Sequence, residues 1–218
     1  MPTVAPCSDA VGFDCSAKLT SQTAKQLAAM GFRFAVRYVG LSQPNAADID
    51  SIEMGIILED IGALWLVQHP LNPGWSPSGQ LGQAHGTAAA RNAKAAGYLP
   101  AANLWQDLEG VSSTSKPQDV IDYCNEWGNA VIAAGFLHGL YVGYDAILSA
   151  QELYALPTVR SYWSDFGNRS VAIRGFAMKQ LTNDTVIPDL PFPIDLDLVH
   201  ADMLGARPTW MMADGIAV

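Results

Sequence analysis

Short apolar runs alternate with stretches of helical periodicity along nearly the whole chain, and few folds accommodate that alternation. Residues 11–15, 32–39, 63–67, 102–108, 137–142, 160–163, 176–181 and 193–199 read as strands. Helices are predicted between them at 21–30, 46–61 and 79–96, from Pro117 to a stop at Gly135, and briefly at 150–156. Runs such as Ala63-Leu64-Trp65-Leu66-Val67 are continuously apolar, as expected of a strand covered on both faces, and that belongs to a parallel sheet flanked by helices. Eight such strands in one chain of 218 residues predict an α/β fold, a TIM-like (β/α) barrel. The later crossovers are too short for full helices, so the helical ring is expected to be incomplete. An open doubly wound sheet is the alternative, disfavoured because no Gly-x-Gly-x-x-Gly loop follows the first strand. The whole of 1–218 is read as a single domain with its core over about 11–200.

Composition narrows the partners. Half the residues are hydrophobic, 15% are charged and the net charge is -9, with no basic run, so no nucleic acid partner is expected. No apolar run reaches the length of a membrane span. The first residues, Met1 to Cys7, lack a basic region and an apolar core; this reads as no signal peptide, so a chain made in the cytoplasm whose target lies outside it would need release or delivery by another system. Cys7, Cys15 and Cys124 form neither a disulfide framework nor a metal spacing, although a Cys7 to Cys15 bridge stays open. His69, His85, His138 and His200 show no zinc-binding pattern, and no metal or cofactor is called for. A monomer is expected.

Chemistry concentrates where Ala102-Asn103-Leu104-Trp105 runs into Gln106-Asp107-Leu108-Glu109-Gly110. Side chains alternate along a strand, so Asp107 and Glu109 share a side roughly 6 to 7 Å apart. Two acids that close oppose each other's ionisation, and the more enclosed one becomes a proton donor near neutral pH. A solvated acidic loop after a strand is the plainer reading of the same tripeptide. In a barrel the C-terminal strand ends form one mouth. They would bring together Asp14, Tyr38, Gln68-His69, Asp107 with Glu109, Tyr141 to Tyr144, Trp163 to Asp165, Gln180, and Asp195 or Asp197. Acids beside aromatics suit a sugar, whose ring stacks on aromatic faces while carboxylates act on the glycosidic oxygen. Asp165 reads as structural, and Asp195 and Asp197 share a face, which leaves open which lies nearer the mouth.

Gly12-Phe13-Asp14, Phe34 to Tyr38, Gly86-Thr87-Ala88-Ala89 with Ala93 to Gly97 and Pro100, and Trp105 to Glu109 together resemble a glycoside-hydrolase-like family once labelled domain of unknown function 1906. That family is similar in turn to the family-25 glycoside hydrolases, lysozyme-type muramidases with an incomplete β/α barrel. The resemblance runs from about Gly12 to Val199. It implies that Asp14, Asp107, Glu109 and Asp195 are catalytic, with Glu109 the general acid and Asp107 orienting the substrate's N-acetyl group for a substrate-assisted attack. Tyr38, His69, Trp105, Tyr141, Trp163, Gln180 and Asp197 are read as substrate contacts, and the resemblance implies peptidoglycan or a related N-acetylated glycan as partner. Leu181 stands where the family-25 motif has tyrosine, and Gln68-His69 replaces a Tyr-His pair. The competing expectations are a catalytically inactive glycan-binding barrel and a metal-dependent hydrolase using Asp14, Asp107 and Glu109 as ligands.

Overall fold

The computed structural model describes residues 1–167 and 169–214. In chain order the elements are β1 (Thr3–Val4), β2 (Ala10–Asp14), α1 (Ser21–Ala29), β3 (Phe34–Val39), α2 (Ser51–Asp60), β4 (Ala63–Gln68), α3 (Gly79–Ala96) and β5 (Asn103–Leu108), followed by α4 (Pro117–Ala133), β6 (Leu137–Val142), α5 (Ala150–Tyr154), β7 (Ser161–Ser164), β8 (Met178–Gln180), β9 (Asp195–Val199) and β10 (Trp210–Met212). Local chemistry sets the helix ends. Thr20 caps α1 through a reciprocal bond with Thr23, Pro117 occupies the first turn of α4, and Gly97 leaves α3 at φ 98°. Helix α2 begins later than the apolar spacing from residue 46 suggests. The Asp50 carboxylate accepts from the amides of Ile52 and Glu53, which fixes the helix start there.

Strands β2 to β9 close a barrel with helices outside it. β2 through β8 run parallel, each paired with the next, while β9 is antiparallel to both β8 and β2. The expectation of a uniformly parallel sheet therefore fails at its last strand. A parallel return needs a crossover to the far end of the barrel, and the segment 181–194 contains no helix to make one. It stays on the mouth side, held by the Thr185 and Ile194 bridge, and feeds β9 in from the top. The helical ring is incomplete as expected, with the five-residue α5 the last helix among the described residues. No described helix is long and apolar enough to cross a membrane.

The C-terminal segment enters the barrel wall. β10 pairs antiparallel with the start of β4, and the Thr209 peptide exchanges bonds with Asn103 at 2.8 and 2.7 Å. β4 and β5 pair directly only higher up, at Leu66 with Leu104 and Val67 with Trp105. Trp210 lies against Phe34 and Trp65, 6.0 and 5.2 Å between ring centres, and helps close the barrel floor. Residues 215–218 of the apolar tail singled out from the sequence lie outside the described residues.

Above this floor the barrel is filled by indoles. Trp105 meets Trp65 and Trp163 edge to face at 6.2 and 5.9 Å. A methyl group on Gly139 would come within 2.5 Å of the Trp105 ring, so glycine there is what lets the indole fill the interior. On the outer face, Arg37 is wholly buried between β3 and α2. Its Nε donates to Glu53 at 2.6 Å, and the same carboxylate oxygen accepts the Leu19 amide. Cys15 is a buried thiol whose Sγ donates to the Ala17 carbonyl at 3.4 Å, and burial pushes its pKa up to about 12; the bridge to Cys7 left open by the sequence is therefore not formed.

Candidate active site

Above the indole layer the barrel opens into a cavity of about 280 Å³, at the small end of the range for ligand sites. Asp14, Tyr38, Val67, Asp107, Glu109, Tyr141, Tyr144, Trp163, Asp165, Phe166, Gln180, Asn183 and Asp195 line it. Strand alternation explains the set. Tyr38 lies two residues beyond Val36 on β3, and Asp107 two beyond Trp105 on β5, so each inward side chain near the mouth stands one layer above an inward core residue.

The antiparallel entry of β9 decides between its two acids. Asp195 pairs with Asp14 and Asp197 with Gly12, so Asp195 stands at the mouth and Asp197 lies one layer deeper. Had β9 run parallel, their order would be reversed. Asp197 is sealed from solvent, accepts from Trp163 Nε1 at 3.0 Å and does not line the cavity. It sits below the site as a neighbour of Asp14, and its assignment as a substrate contact is corrected. Burial first, then the charge of Asp14, raises its pKa well above the usual range.

A hydrogen-bonded chain joins the acids of this wall. Tyr141 Oη donates to Gln180 Oε1 at 3.0 Å, and Gln180 Nε2 donates to Asp14 Oδ2 at 3.1 Å and Asp195 Oδ2 at 2.9 Å. Tyr38 Oη donates to the other oxygen of Asp14 at 3.0 Å. Even with these donors, Asp14 is pushed up to about 7, because burial and the nearby Asp195 outweigh them.

Opposite stand Asp107 and Glu109. Asp107 is 6% exposed, its Oδ1 has no hydrogen-bond partner, and burial followed by the charges of Glu109 and Asp14 raises its pKa well above normal. Glu109, partly buried, is pushed up to about 7 by desolvation, then by Asp165 and Asp195. Its backbone is braced from the Pro/Gly-rich loop. Trp75 Nε1 donates to the Glu109 carbonyl at 2.8 Å and the Gly74 amide to the Gly110 carbonyl at 2.7 Å, while Gly110 turns the chain away at φ 61°. On β6, Gly143 leaves room for the carboxylate: a Cβ there would lie 2.5 Å from Glu109 Oε2.

One further sequence expectation is corrected. Trp105 faces the interior as predicted but one layer too deep, fully buried among indoles, so it is packing and not a substrate contact. His69 lies outside the cavity lining; its Nε2 bonds Asp48 Oδ1 at 2.6 Å and its ring stacks on Tyr38 at 5.0 Å. Asp165, read from sequence as structural, does receive the Gly167 amide and Arg169, and it also lines the cavity. Phe166 and Asn183 were missed because they lie in irregular loops where no period marks which way a residue faces. Among the described residues no group of three or more His, Cys, Asp or Glu is placed to hold a metal ion.

A barrel of this topology with acids gathered at its mouth defines the class of glycoside-hydrolase-like barrels. More particularly, the chain belongs to the Rv2525c-like, glycoside hydrolase-like domain family, whose model matches residues 7–188. That match ends before β9, leaving Asp195 and Asp197 outside it. The fold is similar to the Tat-secreted protein Rv2525c of Mycobacterium tuberculosis, solved in complex with HEPES (TM-score 0.65, 14% identity, 88% of this chain and 95% of that one). It is similar to a family 25 glycosyl hydrolase from Bacillus anthracis (TM-score 0.59, 14% identity, 89% and 90% covered). It is also similar to the modular autolysin LytC from Streptococcus pneumoniae in complex with a synthetic peptidoglycan ligand (TM-score 0.61, 9% identity, 88% and 47% covered). No curated protein sequence matches the chain significantly.

Proposed function

We propose that the chain is a peptidoglycan-cleaving N-acetylmuramidase that works at the bacterial cell wall. The observation that carries this reading is Glu109: a carboxyl in an enclosed, acid-rich mouth, with a pKa near 7 that keeps it partly protonated at neutral pH. In the proposed reaction Glu109 gives its proton to the bridging glycosidic oxygen as that bond breaks. The carbonyl oxygen of the substrate's own N-acetyl group attacks the anomeric carbon and forms a cyclic intermediate. Glu109, now a carboxylate, then takes a proton from the water that opens this ring. Asp107 accepts the N-acetyl N–H and so points the carbonyl at the anomeric carbon. Its place in the cavity lining, two residues before Glu109 and on the same side of the chain, supports that role. Asp14 and Asp195, held by Tyr38 and Gln180, would bind sugar hydroxyls, with Tyr141 and Trp163 lining the same wall. The test is release of reducing ends and muropeptides from purified peptidoglycan by the wild type, by Glu109→Gln and by the wild type with a chelator. Cleavage that vanishes in the variant and ignores the chelator is expected. Sedimentation of both proteins with insoluble wall, without cleavage of any wall type, would instead identify a glycan-binding barrel.

A further inference from the structure

Any charge that the walls of the cavity carry is negative. Among the described residues five that line it are acids, Asp14, Asp107, Glu109, Asp165 and Asp195, and none is Lys or Arg. Arg169 approaches this side of the barrel, but it is turned toward Asp165, its Nε 3.5 Å from Oδ2, and does not line the cavity. The neutral donors Tyr38, Tyr141 and Gln180 bond to one another and to the acids, so they offer no preformed anion site. The acids already oppose one another's ionisation, Glu109 and Asp14 acting on the buried Asp107 and Asp165 and Asp195 on the partly buried Glu109, and a further carboxylate among them would meet the same opposition. At the rim, Tyr144 and Phe166 are 44% and 58% exposed and supply apolar surface to a sugar without supplying charge.

We infer that this site selects its glycan by charge, taking sugars whose substituents are neutral or cationic and rejecting a free carboxylate. Resting on the muramidase reading, the consequence concerns muramic acid, whose lactyl group ends in a carboxyl. That carboxyl is neutral where an amide joins it to a stem peptide and anionic where an amidase has removed the peptide. The preferred substrate is the peptide-bearing or otherwise capped glycan, and the reaction belongs before amidase stripping, which converts substrate into a poor ligand. A like charge brought into a partly desolvated acidic cavity costs enough to weaken binding about tenfold.

The experiment compares three forms of the same glycan: peptide-bearing chains, chains stripped by an amidase to free lactyl carboxylates, and stripped chains whose carboxylates are methyl-esterified. The esterified glycan is expected to be cut about tenfold faster than the stripped one, comparably to the peptide-bearing form, with the gap narrowing in roughly 0.5 M salt as screening shortens the repulsion. Equal rates on stripped and esterified chains overturn the inference. Cleavage of peptide-bearing chains alone also overturns it, because the peptide and not the charge would then be recognised. If no form is cut, the muramidase reading fails and equilibrium binding of stripped and esterified oligosaccharides decides the inference separately: about tenfold weaker binding of the stripped form sustains it, and equal binding or none refutes it.

Discussion

Replacing Glu109 by glutamine should abolish cleavage and make the protein more stable above neutral pH. The side chain keeps its shape but can no longer ionise, and the Trp75 bond to the residue 109 backbone carbonyl is untouched. In the wild type the folded-state pKa is raised from 4.5 to about 7 by desolvation and by Asp165 and Asp195. A carboxyl whose folded pKa lies above its unfolded value contributes stability below about pH 4.5 and loses it as pH rises through 7, because the folded state holds the proton more tightly. At 1.36 kcal/mol per pH unit this sets a ceiling of roughly 3 kcal/mol. Glu109 still touches solvent, which screens part of that, so about 1 to 2 kcal/mol is expected. For a domain of this size that corresponds to a gain of roughly 2 to 8 °C in melting temperature. Thermal unfolding of both proteins at pH 4 and pH 8.5 is the assay, with a difference near zero at the lower pH and the variant ahead at the higher. A pH-independent difference, or a variant less stable at pH 8.5, would refute the description of Glu109 as a desolvated, acid-crowded carboxyl. The same ionisation should make the wild-type rate fall as pH rises above about 7, where the general acid loses its proton.

Other consequences separate chemistry from packing. Gly143→Ala places a methyl 2.5 Å from Glu109 Oε2 and must displace that carboxylate; kcat/KM on peptidoglycan should fall about a hundredfold while circular dichroism shows the fold retained. Trp105→Ala should cost about 3 to 5 kcal/mol in denaturant unfolding, because it empties the indole layer. Tyr144→Ala at the rim should change stability by less than about 0.5 kcal/mol while weakening glycan binding severalfold.

The barrel and most of the wall of its mouth were legible in the order of residues along the chain. Continuous apolar runs such as Ala63 to Val67 must be covered on both sides, and helices bounded by Thr20, Pro117 and Gly97 supply the cover, so alternation alone requires a helix-wrapped sheet. Side-chain alternation likewise placed Asp107 and Glu109 together on the cavity side. A period of two says which way a residue faces but not how deep it lies. Trp105 and Asp107 share that period, yet one is sealed by neighbouring indoles and the other reaches the cavity. Depth at Asp195 and Asp197 turned on strand direction, which depended on how the helix-free 181–194 segment returned to β2. The ionisation of Glu109 is tertiary as well: burial in the closed mouth, then Asp165 and Asp195, far from it in sequence, raise its pKa, and Gly143 at the end of the next strand gives it space. Local sequence fixes periodicity and caps because those are set by neighbours along the chain. Depth, direction and proton affinity depend on groups that only the closed barrel brings within reach.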